Sequence, residues 1–545
     1  MGSRVSAPAN APEARLRGRL ALVGGLMAIA LSLTGCATLP KLDGRVPSTV
    51  LTDTAGTPLG RAVANRSAGQ AGASGIHALD DPREAFAARA VLARLAERSL
   101  DVQYYIWHGD TSGFLLFEEL WNAAERGVRV RLLLDDNGTS GLDGVIAALD
   151  SHPAVEVRLF NPFASRGSRL LGYLGDFERL NHRMHNKSFT ADNQFSIVGG
   201  RNVGDEYFAA GSGVVFQDLD VIGAGPIAAE VGGAFDRYWN SASAYPAEAL
   251  VGRASPEGVE KLKARFAAVQ SSPEAVQYVE AVRATPLLEA LRENRFTMEW
   301  VPVHLLCDPP EKVLGEVQDQ DLLFPRLVRA IGTPQREVDL VSPYFVPGKK
   351  AAKILAAYPA RGISLRIVTN SLAATDVGAV HAGYMKYRGR LLRGGARLYE
   401  LKPAPPTAPP TAPPGSERRE ESHVPGGSGS SSGSSAVSLH AKTFSIDRSR
   451  VFIGSFNFDP RSARLNTEMG VLIDSPALAG AVSRTIDEQA PVAAWEVVLS
   501  ADGERLVWVE QTPQGEKRHE HEPGAGFFKQ LGVGLMSLLP IEGML

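Results

Sequence analysis

From Ser99 the chain reads SLDVQYYIW, an apolar-rich run with the short period and β-branched and aromatic content of a strand. FLLFEELWNAAERG follows, with apolar residues three and four apart, which predicts a helix; VRVRLLLDD then predicts a second strand. The same order returns from Glu337 as EVDLVSPYFV, KKAAKILAAYPARG and ISLRIVTNS. Each helix runs out at an Arg-Gly step, where Gly127 and Gly362 suit the left-handed residue that closes a helix. Strand, helix, strand is a βαβ crossover. Its repetition predicts an α/β protein of two similar halves.

The likeness extends into polar positions. MHNKSFTADNQFSIVGGRNVGDEYF carries His185, Lys187 and Asp192; LHAKTFSIDRSRVFIGSFNFD carries His440, Lys442 and Asp447 at the same spacing, H-x-K-x(4)-D. Asn202 and Asn457 follow their histidines at equal distance, each after a small-residue step. One such match has a chance probability on the order of a few per cent in a chain of this length. Two with matching sequels are a repeat.

A histidine and a lysine two apart on a strand point to one face. If the halves pack about a pseudo-twofold axis, two imidazoles, two ammonium groups and two asparagine amides converge, a set suited to a phosphate. One imidazole attacks phosphorus while the other protonates the departing oxygen. Lys187, Lys442, Asn202 and Asn457 then hold the nonbridging oxygens as charge builds. Each imidazole needs a carboxylate to orient it. Asp218 in FQDLDV and Glu468 in LNTEMGV fall at corresponding places and are expected in that role. Asp192 and Asp447 are grouped with the catalytic residues as supporting carboxylates, although their strand-to-turn position also suits a turn aspartate. A lysine between histidine and aspartate on one face repels a metal ion, and no His-Glu-x-x-His helix is present. No metal or other cofactor is expected.

At 545 residues the chain is long enough for about two to four domains. A net charge of −3 gives no overall attraction to nucleic acid. The N-terminus stands apart: Arg15, Arg17 and Arg19 precede an apolar run from Leu20 to Leu33 and then LTGC, ending at Cys36. That order is a secretory signal, with an apolar run short of the roughly 20 residues that span a bilayer. LTGC resembles the lipobox of bacterial lipoproteins, which implies lipidation of Cys36. Only Cys307 would remain, excluding an intrachain disulfide.

The expected organisation is a signal peptide at 1–36, a first catalytic half at 80–245, a helical linker at 246–325, a second half at 326–500 and a C-terminal extension at 501–545. Residues 402–435 are Pro-rich and then Gly/Ser-rich and are expected to be a surface insert in the second half. The extension places Phe527, Phe528, Leu531, Leu535 and Leu538 near helical spacing, as in a helix that lies in a membrane surface or docks on the core. RLFNPFASRGSRLLGYLGDF, from Arg158, interleaves arginines with aromatic and aliphatic residues and suits either a lipid surface or a partly buried loop.

On the two H-x-K-x(4)-D motifs and the asparagine turns after them, the chain resembles the phospholipase D superfamily from about residue 80 to 540. RMHNKSFT, GGRNVGDEYF, TNSLAATD, HAGY and SFNFDPRSARLNTEMG are similar to its bacterial cardiolipin synthases. The resemblance implies two α/β sandwich halves packed about a pseudo-twofold axis. It implies metal-free transfer of a phosphatidyl group through a phosphohistidine, with His185 as nucleophile and His440 as acid. Phosphatidylglycerol would be the acceptor, phosphatidylethanolamine a donor and cardiolipin the product. Water in place of the acceptor would make the protein a phospholipase D releasing phosphatidic acid; a nuclease fits the charge less well. The expected partners are phospholipids and a membrane, without nucleic acid and with a helper protein left open. The expected location is the bacterial envelope, as a lipoprotein facing the periplasm, with inner or outer membrane left open.

Overall fold

A computed structural model of the protein describes residues 38–167, 169–211, 214–403, 437–539 and 542–545. The predicted signal segment with Cys36, and the predicted insert from residue 404 onward, lie outside the described residues. The strands of the first half are β1 (Ser74–Leu79), β2 (Ser99–Ile106), β3 (Arg129–Gly138), β4 (Val155–Phe160), β5 (Ser188–Ala191), β6 (Phe195–Gly199), β7 (Val215–Gln217), β8 (Asp220–Ala224) and β9 (Ala244–Pro246). Next come β10 (Glu299–Val301) and β11 (Val303–Cys307). The second half holds β12 (Glu337–Val341), β13 (Ser364–Asn370), β14 (Arg397–Leu401), β15 (Val437–Leu439), β16 (Thr443–Ile446), β17 (Arg450–Gly454), β18 (Met469–Ile473), β19 (Ala494–Leu499), β20 (Leu506–Thr512) and β21 (Gly515–His519).

One sheet runs β10-β1-β8-β6-β5-β2-β3-β4-β9, and the other runs β11-β18-β17-β16-β12-β13-β14-β19-β20-β21. From β1 to β9 and from β11 to β19 the two orders correspond, with the repeat's parallel crossover strands β2-β3-β4 and β12-β13-β14 at matching places, while β10, β20 and β21 have no counterpart. The predicted helices form over Thr111–Glu125 and Gly348–Ala356, and Gly127 (φ 89°) and Gly362 (φ 76°) adopt the left-handed conformation. A buried ion pair recurs as well: Arg131 Nε donates to Asp101 across β2 and β3 at 2.6 Å, and Arg366 Nε to Asp339 across β12 and β13 at 2.6 Å.

Equivalent strands meet at the interface between the halves, with β6 and β8 against β17 and β18. Val198 and Val221 pack there with Ile453 and Val471 in a core shared by both halves. Self-complementary contact of equivalent surfaces is what a pseudo-twofold axis requires.

The expected boundaries shift in three places. β1 begins at Ser74, ahead of residue 80, and pairs with β8. The 246–325 region carries helices Pro256–Gln270, Pro273–Arg283 and Pro286–Arg292 against the first half, but it is not only helical. Its β10 joins β1, and after Pro302 its β11 joins β18, so the connection passes directly from one sheet into the other. Strands of three and five residues are too short to leave a periodic signal. The 501–545 extension likewise begins as β20 and β21, which prolong the second sheet.

Farther on, helix Phe527–Ser537 rests Val533 on Leu372 and Ala382 while Phe527 and Phe528 stay exposed. In the stretch from Arg158, Phe160 and Phe163 are buried, and Arg166 pairs with Asp136 and Asp143. Among the described side chains there, Leu174 and Phe177 are exposed large apolar groups. No helix among the described residues is long and apolar enough to cross a membrane.

Candidate active site

Each motif opens a hairpin. Asp192 and Asn193, and likewise Asp447 and Arg448, all have positive φ. With Gln194 N–H bonded to Ala191 O and Ser449 N–H to Ile446 O, both turns are the tight type that matches strand twist. The aspartate of each motif serves this corner. Asp192 Oδ1 accepts the backbone N–H groups of Arg98 at 2.8 Å and Ser99 at 3.0 Å, where β2 begins. Asp447 Oδ1 accepts those of Arg336 at 2.7 Å and Glu337 at 3.0 Å, where β12 begins. Asp192 and Asp447 are therefore not pocket residues, contrary to their grouping with the catalytic set. They pin neighbouring strands at the far end of β5 and β16 from the histidines.

The histidines sit where these strands begin. Asp135, at the end of β3, takes Met184 N–H at 2.8 Å and pairs with Arg183, fixing the backbone before His185. At the equivalent end of β13, Asn370 accepts Leu439 N–H at 3.1 Å and donates to Leu439 O at 3.0 Å, fixing the backbone before His440. The main chain then crosses to the other half: His185 N–H bonds to Thr467 O at 2.9 Å and His440 N–H to Gln217 O at 2.8 Å.

The side chains cross too. His185 Nδ1 lies 2.8 Å from Glu468 Oε2, and His440 Nδ1 lies 2.5 Å from Asp218 Oδ2. Each imidazole is thus held by a carboxylate of the opposite half through Nδ1, leaving Nε2 for chemistry. Lys187 Nζ donates to His185 O at 2.7 Å, and Lys442 Nζ donates to His440 O. Lys442 Nζ is also 2.9 Å from His440 Nδ1. Both histidines, both lysines and both carboxylates are buried.

Burial and the crowded positive charge set the protonation of the site. Burial, then Lys187, Lys442 and Arg461, push His185 well below the usual imidazole range. Burial and Lys442 lower His440 to about 4, against the pull of Asp218. Each histidine thus feels the lysine of the other half as well as its own. Burial also lowers Lys187 well below its ordinary range and Lys442 to about 8. The two carboxylates differ. Burial would raise Asp218, but the His440 ring and the Lys442 ammonium hold it well below the carboxylate range. Burial pushes Glu468 up to about 7, opposed by Lys187 and the Ser455 hydroxyl.

Part of this asymmetry is built into the small-residue turns. Ser455 Oγ donates to Glu468 Oε2 and accepts Met469 N–H at 3.0 Å. The first half has Gly200 there, and a Cβ on it would stand 2.2 Å from Asp218 Oδ1. The carboxylate beside His440 therefore packs on bare backbone, and the one beside His185 meets a hydroxyl.

The asparagines also differ. Asn202 bridges structure: Oδ1 accepts Ile106 N–H at 3.2 Å and Nδ2 donates to Tyr207 OH at 2.9 Å. Asn457 is buried with its Oδ1 unpartnered among the described residues. Aromatic walls complete the site. Tyr105 meets His185 edge-on at 5.0 Å, Phe216 stacks on His440 at 5.1 Å and Tyr207 meets it edge-on at 5.3 Å. Tyr105, Tyr207, Phe216 and Arg461 were not singled out by the motif spacing. Aligning Arg131 with Arg366 would have matched Asp135 to Asn370, but no sequence rule marks the aromatic walls.

Comparisons with known proteins match the two halves of the chain. The family model described as "Cardiolipin synthase, PLD-like domain" matches residues 92–239 and again residues 327–489. Cardiolipin synthase C of Escherichia coli is 44% identical over 474 residues, covering 87% of this chain and 97% of that protein. Cardiolipin synthase A of Pseudomonas syringae is 26% identical over 404 residues, covering 73% of this chain and 65% of that protein. Among solved structures, a phosphatidylserine synthase of Haemophilus influenzae shares the fold, with a TM-score of 0.53 and 12% identity over 89% of this chain and 99% of that one.

Proposed function

The chain belongs to the cardiolipin synthase, PLD-like domain family and is a phospholipase D-type phosphatidyltransferase; from that premise we propose that it forms cardiolipin by passing a phosphatidyl group to phosphatidylglycerol through a phosphohistidine. The observation that carries the reading is the crossed pairing of two buried histidines, each with Nδ1 on a carboxylate of the other half. A neutral imidazole so held presents a lone pair at Nε2.

In the first step His185 Nε2 attacks phosphorus. The bond from phosphorus to the headgroup oxygen breaks, and His440 gives its proton to that oxygen as the alcohol leaves. In the second step the hydroxyl of phosphatidylglycerol attacks phosphorus and passes its proton to His440, and the N–P bond breaks to release His185. The protonated fraction of His440 is the one that acts as acid: burial and Lys442 keep that fraction small, with the ring at about 4, and ionised Asp218 raises it. The depressed basicity of His185 keeps it a neutral nucleophile. Lys187, Lys442 and Asn457 are the groups we assign to the nonbridging oxygens. Phosphatidylethanolamine is the donor we favour, and none of these steps uses a metal. The LTGC sequence at Cys36 supports an envelope lipoprotein facing the periplasm.

The test is lipid mass spectrometry on the protein incubated with phosphatidylglycerol and phosphatidylethanolamine vesicles, with rapid quenching to map the phosphorylated residue. Cardiolipin and label on His185 are expected. Phosphatidic acid without cardiolipin would make the protein a hydrolase, label on His440 would exchange the two roles, and label on neither would end the covalent mechanism.

A further inference from the structure

Among the described residues, the densest run of exposed large apolar side chains is on the C-terminal segment. Phe527, Phe528, Leu531, Leu535, Leu538 and Leu539 are between 49% and 85% exposed within thirteen residues. The helix buries Val533 against the second half and leaves two phenylalanines and its leucines exposed on the outer face.

Its position ties it to the catalytic pocket by two routes. Beneath it lie Leu372 and Ala382. Leu372 follows Asn370, whose side chain fixes Leu439 beside His440, and Ser438 Oγ donates to Ala374 O at 3.2 Å. Beyond the helix, Leu545 O accepts Arg461 N–H at 2.6 Å. Arg461 in turn donates to the Asn181 side chain at 2.8 Å and to its carbonyl at 2.7 Å, and its charge reaches His185. Asn181 caps the short helix Phe177–Leu180, which bears exposed Phe177 and follows exposed Leu174. The exposed apolar groups of both halves therefore gather around the chain segments that frame the two histidines. Exposed ammonium groups accompany them. Lys386 donates to Leu539 O at 3.5 Å and pairs with Glu542 at 4.0 Å, and the exposed Lys349 and Lys350 follow Gly348.

We propose that helix Phe527–Ser537 with Leu538 and Leu539, together with Leu174 and Phe177, is the face by which the protein seats itself on an anionic phospholipid bilayer. Apolar side chains enter the acyl region while the lysines meet the phosphates, the pattern of an interfacial helix. The proposal rests on the phospholipid-transfer reading above and adds the surface that presents lipid to that pocket.

Two measurements on the full chain separate the proposals. In the first, Leu538→Trp is mixed with phosphatidylglycerol/phosphatidylethanolamine vesicles whose acyl chains are brominated. Extra quenching relative to the parent protein is expected and requires no turnover. In the second, Phe528→Ser combined with Leu538→Ser is assayed on vesicles and on dihexanoyl phosphatidylglycerol mixed with dihexanoyl phosphatidylethanolamine, both below their micelle concentrations. Transfer on vesicles should fall roughly tenfold or more, from lost apolar insertion of two side chains, with transfer on the monomeric lipid unchanged. An unquenched Leu538→Trp, or equal losses on both lipids, would overturn the docking face. So would a fall in oligomer size in the double variant without quenching in Leu538→Trp, which would make the face a protein interface. Quenching with no lipid turned over in any form would leave the face standing and defeat the transfer reading instead.

Discussion

Asp218→Asn preserves the shape of the side chain that His440 Nδ1 meets at 2.5 Å and removes its charge. The cost falls where His440 carries a proton, because an imidazolium needs the carboxylate more than a neutral ring does. A hydrogen bond to a charged group contributes ~1.5–3 kcal/mol. The Coulomb attraction of full charges ~4 Å apart adds up to ~4 kcal/mol at an effective dielectric of ~20. Allowing for water that partly replaces the charge, a loss of ~3–5 kcal/mol is expected, or ~10²–10⁴-fold in turnover. Glu468→Gln should cost less, about tenfold near neutral pH, because burial holds Glu468 at about 7 and roughly half its charge is already absent there. The assay is the initial rate of phosphatidyl transfer on vesicles across pH 5.5 to about 8.5, a span that brackets the Glu468 titration at about 7, with a melting curve for each variant. In the wild type the contribution of Glu468 should grow as pH rises through its folded value, and in Glu468→Gln that limb should be flat. Asp218→Asn within threefold of wild type, or Glu468→Gln at least as damaging, would refute the assignment of different work to the two carboxylates.

The raised value of Glu468 also bears on stability. Its ordinary value of 4.5 rises to about 7 on folding, so between these values the folded state binds more protons than the unfolded one. This contribution is full at low pH and lost as pH rises through about 7, and the melting temperature of Glu468→Gln should lack that decline. Asp192→Ala should lower stability by ~2–4 kcal/mol by stranding the backbone N–H groups at the start of β2, yet leave turnover per folded molecule within about threefold; a hundredfold loss with an unchanged melting curve would return Asp192 to the catalytic set. Gly200→Ala should mimic Asp218→Asn, because its Cβ would stand 2.2 Å from Asp218 Oδ1; unchanged rates would show that the carboxylate has room to move. His185→Ala and His440→Ala should each abolish most transfer and, combined, lose little more, as groups acting together do; multiplicative losses would mean two separate sites.

The repeat was legible because it was written twice in residues of low background frequency, and because βαβ units have long periodic strands and helices. The motif histidines, lysines and orienting carboxylates could be named for the same reason. Their crossing could not. Asp218 and Glu468 occupy matching places in the repeat whether each serves its own half or the other. The motif aspartates show a different limit, since a turn carboxylate and a catalytic one have the same spelling; only the N–H groups of residues 97–99 and 335–337, far away in sequence, reveal what they bind. β10 and β11 were hidden by their shortness, and Tyr105, Phe216 and Arg461 by the absence of any spacing that would mark a wall.

Because each imidazole takes its carboxylate from the opposite half, neither half alone carries an oriented nucleophile or acid. A fragment still emerging during synthesis, or one half cut loose by proteolysis, would lack the group that readies its histidine. The exchange of Asp218 and Glu468 thereby works as an interlock that arms the chemistry only after β16 and β18 of the second half are in place. It also binds the two halves in inheritance, since a change to either carboxylate is felt at the histidine across the interface and must be answered there.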